Sequence, residues 1–164
     1  MRRIHPVVLA LIVWFGFSAF SHPNGIFRID PPGNWRVVKQ DEDSVLFAPG
    51  GDETRGSMYV SAIGPVDKAP PLTEIFDAVK SDNESVVQKR NYAIGGQDGL
   101  YLETRSANAR GVQISTRWAL CYVPNKAGGA PTTVFFIWLK SPTALLGENE
   151  PAFSQAVRSL RWGR

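Results

Sequence analysis

Apolar and polar positions alternate in short runs along most of the chain, which is the pattern of β-strands. These runs are separated by turns rich in glycine, proline, asparagine and aspartate. We predict strands over residues 26–30, 35–40, 44–48, 57–65, 86–94, 99–107, 112–123 and 132–140. The connections after residue 86 are short, so these strands should pair antiparallel. Residues 134–139 are apolar at every position, which predicts a central strand covered on both faces.

Two further segments have the period of a helix. The first helix follows Pro70-Pro71, and we expect it to end near Asp82-Asn83. Its apolar stripe has the spacing i, i+3, i+4 and i+7, and consists of Leu72, Ile75, Phe76 and Val79. The stripe predicts that one side of this helix packs on the sheet.

The second helix closes the chain. Asn149 or Glu150 is its expected cap, and Pro151 should lie in its first turn, where the missing N–H costs little. Its buried stripe consists of Phe153, Ala156, Val157 and Leu160. Together the elements predict an α+β fold, with an antiparallel sheet of six or seven strands and helices packed on both sides.

The N-terminal residues have the order of parts of a signal peptide. Arg2 and Arg3 form a basic head, and residues 7–20 are an uncharged apolar run of 14 residues. That run is shorter than the roughly 20 residues of a membrane-spanning helix. Ala19-Phe20-Ser21 then places small residues where a signal peptidase requires them, which predicts cleavage before His22. We therefore expect a signal peptide over residues 1–21 and one globular domain over residues 22–164, with a retained anchor as the alternative.

Removal of the signal changes the charge balance. The full chain has 18 basic and 15 acidic residues, a formal net charge of +3. Without Arg2 and Arg3 the counts are 16 and 15, so the net charge falls to +1. A near-neutral domain gives no reason to expect a nucleic-acid partner.

Cys121 is the only cysteine of the chain, which excludes an intramolecular disulfide. It lies in the apolar segment 118–123, so we expect a buried, unreactive thiol. In the strand that contains it, alternation places Trp118 and Leu120 on one face and Ala119 and Cys121 on the other.

The order of these parts resembles the PsbP-like superfamily. This group includes the extrinsic oxygen-evolving subunit of photosystem II, a Ran-binding nuclear import release factor, and bacterial envelope proteins of the DcrB type. The resemblance covers residues 26–162, and the matching segments are Ile29-Asp30-Pro31-Pro32-Gly33-Asn34-Trp35, Val45-Leu46-Phe47, Pro70-Pro71-Leu72-Thr73, Gly95-Gly96-Gln97-Asp98-Gly99 and residues 153–160. It implies a sheet with helices on both sides, used mainly for binding macromolecules, and no family binding motif can be carried over residue by residue.

No catalytic, cofactor-binding or metal-binding set is evident. Cleavage before His22 would leave it as the only histidine, and an N-terminal His can chelate copper through its α-amino group and ring. A copper site needs further imidazoles, so we expect His22 to be a disordered terminal residue beside Pro23. Nucleophilic catalysis would need a base near a Ser or Cys, and Cys121 has none in sequence.

Acidic and glycine-rich groups are assigned to turns. Asp41-Glu42-Asp43 and Asp52-Glu53 lack the alternating spacing of a calcium loop. The glycine pairs all fall between predicted strands, and none precedes the Lys-Ser/Thr of a phosphate loop; they are Gly50-Gly51, Gly95-Gly96 and Gly128-Gly129.

Trp162, Arg158 and Arg161 form the one candidate interface. They lie close together at the end of the second helix, and tryptophan and arginine are the residues favoured at protein interfaces. The alternative is that Trp162 packs in the core while the arginines stabilise the helix C-terminus.

The function that these observations favour is that of an exported, non-enzymatic accessory protein. It would be periplasmic or secreted and would act through contacts with an envelope or secreted protein. The alternatives are a carrier with a small-molecule or lipid pocket lined by residues such as Tyr101 and Trp118, and a hydrolase with two facing carboxylates.

Overall fold

A computed structural model describes residues 19–23, 25–66, 68–125 and 132–163. Most of the predicted signal peptide, residues 1–18, lies outside the described residues, and so does the predicted Gly128-Gly129 turn. The strands are β1 Phe20–Ser21, β2 Phe27–Ile29, β3 Trp35–Gln40, β4 Ser44–Pro49, β5 Ser57–Ile63, β6 Ser85–Ile94, β7 Gln97–Ala107, β8 Gln113–Tyr122, β9 Val134–Pro142 and β10 Arg161–Trp162. The helices are α1 Leu72–Val79 and α2 Leu146–Ser159.

Seven strands form one antiparallel sheet in the order β3-β4-β5-β9-β8-β7-β6. The predicted fold class is therefore confirmed. The strand over residues 26–30 is not part of this sheet, because β2 pairs with β1 and β10 in a separate three-stranded sheet. Strands β1 and β10 have two residues each, too short for an alternating pattern to reveal them.

The central strand β9 separates two apolar clusters, as its uninterrupted apolar run predicts. Phe135 and Ile137 face the cluster beneath α2 and the small sheet, and Val134 and Phe136 face the cluster beneath α1. Helix α2 packs against β9, while α1 contacts β7 and β8. The helices thus cover opposite faces of the sheet.

The first helix begins directly after Pro71, as predicted, but its end and the start of the second helix differ from the prediction. Helix α1 ends at Val79, because Lys80 is already extended. Helix α2 begins at Leu146, directly after a 3₁₀ turn over Thr143–Leu145, so Pro151 lies inside it. Asn149 does not cap the helix, because its side-chain amide donates to the Arg55 carbonyl at 2.7 Å and to the Ser141 hydroxyl at 2.9 Å. In the described parts of the chain, no helix is long and apolar enough to span a membrane.

Cys121 lies in the core beneath α2 with no exposed surface, as predicted. Burial raises the pKa of its thiol to about 12, so almost none of it is thiolate at neutral pH. We expect a disulfide reagent at pH 8 to leave the folded protein unmodified over hours and to modify one thiol per chain in denaturant. Equal rates in the two conditions, measured by absorbance of the released thiol, would contradict this burial.

Candidate functional site

The end of α2, strand β10 and the β6–β7 turn enclose a cleft of about 390 Å³, which we call the Trp162 cleft. Its walls are Tyr92, Ala93, Gly95, Gly96, Val157, Arg158, Leu160, Arg161 and Trp162. The three residues of the sequence-predicted interface therefore line one depression.

Trp162 packs in the core and also forms part of the cleft wall. Its ring meets Phe135 edge to face, with ring centroids 5.6 Å apart, and its indole Nε1 donates to the Gly95 carbonyl at 2.8 Å. The side chain remains half-buried. Trp162 therefore packs against the core, which was the alternative interpretation, and also lines the cleft. These contacts hold the ring in place.

Gly95 permits this close approach of the indole. Its φ of +56° is in the left-handed region, and a Cβ at this position would lie 2.9 Å from the Trp162 Nε1 atom. Gly96 also has a positive φ, +80°, but a Cβ there would meet nothing within 4 Å. The turn prediction was correct, while the contact with Trp162 depends on the tertiary structure.

Arg158 and Arg161 line the cleft, and Arg28 lies opposite Arg161 in the small sheet; we call these three residues the arginine cluster. Arg161 stands directly opposite Arg28 in the β2–β10 pair, an arrangement in which like charges repel. Arg158 lies in the last turn of α2. Among the described residues, no carboxylate forms a salt bridge with any member of the cluster.

Hydrogen bonds to backbone carbonyls hold Arg158 and Arg161 in place without neutralising their charge. Arg158 Nε donates to the Ser154 carbonyl at 3.1 Å, and Arg161 Nη1 donates to the carbonyls of Arg158 and Leu160 at 3.1 and 2.8 Å. These carbonyls are at the negative end of the α2 dipole, so the two arginines stabilise the helix C-terminus, which was the alternative interpretation of the sequence. In the described part of the chain, the other guanidinium nitrogens of Arg158 and Arg161 make no further hydrogen bond or ion pair, and guanidinium nitrogens of this kind bind anionic groups.

An additional arginine lies on the strand that forms the far wall of the cleft. The Arg90 guanidinium carbon is 4.5 Å from the centre of the Tyr101 ring and 5.5 Å from that of the cleft residue Tyr92. Burial raises the pKa of Tyr101, so this ring presents a neutral face to the cation. Sequence reasoning missed Arg28 and Arg90, because only the strand register shows which residues they adjoin.

The carrier pocket predicted around Tyr101 and Trp118 does not exist in that form. Tyr101 pairs with Ala119, and Trp118 pairs with Leu102, so the two aromatic side chains point to opposite faces of the sheet. A different cleft, of about 730 Å³, does lie between sheet and helix. It is lined by Pro71, Leu72, Thr73, Lys89, Asn91, Tyr92, Ala93, Asp98, Gly99 and Leu100.

The expectation that His22 is a disordered terminal residue is wrong. His22 is only 2% exposed, and its ring centroid lies 5.1 Å from that of Phe27. Its backbone N–H donates to the Phe27 carbonyl at 2.9 Å, which continues the pairing of β1 with β2. Within the described ranges, no three His, Cys, Asp or Glu side chains are grouped as metal ligands would be.

The acidic loops have the roles of turns, as predicted. The Asp52 carboxylate accepts from the Thr54 N–H at 3.0 Å and from its hydroxyl at 2.6 Å, and these hydrogen bonds lower the pKa of Asp52. Asp41 pairs with Lys39 on the surface at 3.1 Å.

A buried carboxylate that sequence reasoning missed is Glu84. It accepts from the Thr104 hydroxyl at 2.7 Å and from the Trp118 indole at 3.3 Å, and it lies 3.8 Å from the Lys140 ammonium. Every one of these contacts joins the segment after α1 to the sheet. Glu84 therefore anchors the connection between α1 and β6 to the sheet.

Comparison with solved structures identifies the fold of the chain. No protein-family model and no curated protein matches the chain. Among solved structures, CyanoP, the cyanobacterial PsbP of Synechocystis sp. PCC 6803, matches with a TM-score of 0.61 and 12% identity, over 88% of this chain and 91% of that chain. The chain has the PsbP-like fold.

Two other proteins show how widely the PsbP-like fold is distributed. The Ran-binding protein Mog1p of Saccharomyces cerevisiae has a TM-score of 0.57 and 11% identity, over 88% of this chain and 94% of that chain. LpqN of Mycobacterium tuberculosis, described as involved in cell envelope biogenesis, has a TM-score of 0.59 and 10% identity, over 90% of each chain. At these identities the likeness shows the PsbP-like fold and no more.

Proposed function

We propose that this chain is an exported accessory protein of the cell envelope, which acts without catalysis by binding an acidic segment of another protein in the Trp162 cleft. The N-terminal basic head and apolar run direct export to the periplasm or the exterior. The observation that carries the binding role is the arginine cluster beside a rigid, half-buried tryptophan.

Charge and shape favour a protein segment as the occupant. The mature domain is nearly neutral overall, yet three arginines converge at one place, and repulsion between Arg28 and Arg161 persists in the free protein. An acidic segment would relieve that repulsion, and arginine binds carboxylates through paired hydrogen bonds. The concave wall formed by Trp162 and Gly95 suits a side chain of a partner.

The named relatives are consistent with a binding role. Mog1p is described as Ran-binding and LpqN as involved in cell envelope biogenesis. We extend to this chain only the general idea that the fold supports macromolecular contacts, because sequence identity is 10–11%.

The test is crosslinking in the exporting cell. A photo-crosslinking residue replaces Tyr92 in the cleft or, as a control, Val38 on the exposed β3 strand at the opposite edge of the sheet. We expect one specific protein adduct from position 92 and none from position 38. The adduct should fall at least about tenfold when the Arg28→Glu and Arg158→Glu substitutions are combined, since charge reversal converts attraction into repulsion.

The matched control for charge is the pair Arg36→Glu and Lys39→Glu on β3. This variant carries the same change in net charge but leaves the arginine cluster intact, so its adduct should equal that of the wild type. An adduct that survives reversal of Arg28 and Arg158, in a protein with unchanged stability, would reject the Trp162 cleft as the binding site.

A carrier role is a second candidate, supported by the cleft of about 730 Å³ beside α1. Leu72 and Leu100 contribute apolar surface there, but Lys89, Asn91 and Asp98 make the remainder polar. A carrier would retain a small molecule through native mass spectrometry of the exported protein, and Leu72→Arg would abolish that retention. A ligand-free spectrum for wild type under the same conditions would count against the carrier role.

A further inference from the structure

The residues just before His22 are part of the folded domain. Strand β1 consists of Phe20–Ser21 and pairs antiparallel with β2, with Phe20 opposite Ile29. The Phe20 side chain is 9% exposed and belongs to the cluster beneath α2. Its ring lies 6.1 Å from that of Phe27 and 5.8 Å from that of Phe47, measured between centroids.

Cleavage before His22 would damage this region in two ways. It would remove the Phe20 ring and expose the faces of Phe27 and Phe47 that it covers, with loss of the free energy of burying an aromatic side chain. It would also abolish the pairing of β1 with β2, because Phe20 and Ser21 are the residues that lie opposite Ile29 and Arg28.

The sequence contains a second peptidase site three residues earlier. Gly16-Phe17-Ser18 and Ala19-Phe20-Ser21 have the same small–bulky–small pattern, which is what signal peptidases recognise. With the earlier site, the uncharged apolar run is residues 7–15, which is within the usual length of a signal peptide. The sequence motif fits both sites equally, whereas the packing of Phe20 distinguishes them.

We propose that signal peptidase cleaves after Ser18, so that the mature protein begins at Ala19 and keeps Phe20 as a core residue. Ala19 precedes β1 and is partly exposed, so a charged amino group there would be hydrated. This inference rests on the export step of the proposed function and is independent of what the Trp162 cleft binds.

The direct test is the intact mass and N-terminal sequence of the protein recovered after export from a bacterial host. We expect a chain that begins at Ala19. A chain that begins at His22 would overturn the inference while leaving export valid, and an unprocessed chain would overturn both.

Two matched substitutions check which triplet is recognised. Ser18→Leu places a bulky residue immediately before the proposed cut, so chains that begin at Ala19 should disappear, and the product should be precursor or a chain cut at the later site. Ser21→Leu alters the other triplet at an exposed position, and processing at Ala19 should continue unchanged. The reverse pattern, with Ser21→Leu blocking processing, would overturn the proposal.

A stability measurement tests whether β1, and Phe20 in particular, stabilises the domain. Chains that begin at Ala19 and at His22 are produced without a signal and unfolded in urea. We expect the shorter chain to have the lower midpoint, and Phe20→Ala in the longer chain to account for most of the difference, while Ser21→Ala has no effect. Equal midpoints for the two chains would show that β1 is dispensable and would overturn the argument.

Discussion

Replacement of Arg117 by methionine is expected to lower the free energy of unfolding by about 3 to 5 kcal/mol, the cost of breaking a buried ion pair by removing one partner. Arg117 lies on β8, and its side chain is only 9% exposed. Its Nη1 atom is 2.6 Å from a carboxylate oxygen of Glu103 on β7, and its Nε donates to Glu150 of α2 at 3.3 Å. The substitution would leave the Glu103 carboxylate, which is 14% exposed, beside an apolar side chain.

The electrostatics of Arg117 support this expectation. Burial by itself lowers the pKa of Arg117, but the interactions with Glu103 and Glu150 outweigh burial and hold that pKa above its ordinary value. The guanidinium therefore stays charged throughout the accessible pH range. Arg117 contacts both carboxylates, so Glu103 and Glu150 belong to one ion network.

The control for Arg117 is Arg105→Met. Arg105 pairs with the same Glu103 carboxylate at 3.7 Å, but its side chain is 60% exposed. Exposed pairs contribute about 0 to 1 kcal/mol, so this variant should unfold almost as the wild type does. Urea denaturation gives the free energy of unfolding of both variants. Equal losses of free energy would show that burial does not determine how much each ion pair stabilises the fold. Combining Glu103→Gln with Arg117→Met should recover part of the loss, because the stranded charge is then removed.

Gly95→Ala is expected to cost about 2 to 4 kcal/mol, and Gly96→Ala about 1 to 2 kcal/mol. Both residues have a positive φ, so both alanines carry the strain of that conformation. Only at Gly95 does the new methyl group meet the indole of Trp162, and it also lies 3.2 Å from the Leu160 side chain. The difference between the two variants therefore measures the packing of the cleft wall.

A double-mutant cycle checks the cause of that difference. In a Trp162→Phe background the indole nitrogen is absent, so the additional cost of Gly95→Ala over Gly96→Ala should shrink. The free energies come from urea denaturation of the six proteins. An unchanged difference would mean that Gly95 is constrained by its own turn and not by Trp162.

These two predictions concern the framework that presents the Trp162 cleft. The ion network joins β7, β8 and α2, and the Gly95–Trp162 contact joins the β6–β7 turn to β10. Helix α2 carries Arg158, and β10 carries Arg161. The ion network and the Gly95–Trp162 contact therefore both help to fix the positions of these two arginines. A binding site with a fixed geometry loses less entropy when its partner arrives.

The fold was largely predictable because its elements are long and strongly patterned. Strands β4 to β9 contain four or more apolar residues each, and both helices have a complete apolar stripe, so local patterns were sufficient for these elements. The boundaries failed where tertiary contacts replace local signals. Asn149 has the composition of a cap, yet it bonds to the carbonyl of Arg55, a residue far away in the sequence.

The candidate site was predictable only in part. Trp162, Arg158 and Arg161 were found because they are adjacent in sequence, whereas Arg28 comes from the other end of the chain. The failed pairing of Tyr101 with Trp118 has a simple cause. A shift of one residue in β-sheet register moves a side chain to the opposite face, and the register between two strands cannot be predicted from the sequence of either strand alone.

By itself, the sequence determined the antiparallel α+β architecture, the central strand, the burial of Cys121 and the presence of a signal-like N-terminus, because each depends on residue patterns within a short segment. Only the tertiary structure decided that β1, β2 and β10 form their own sheet, that Phe20 and His22 are buried, and that the arginines converge beside Trp162. These features depend on pairing between the two ends of the chain, and the two-residue strands β1 and β10 carry no periodic signal of their own.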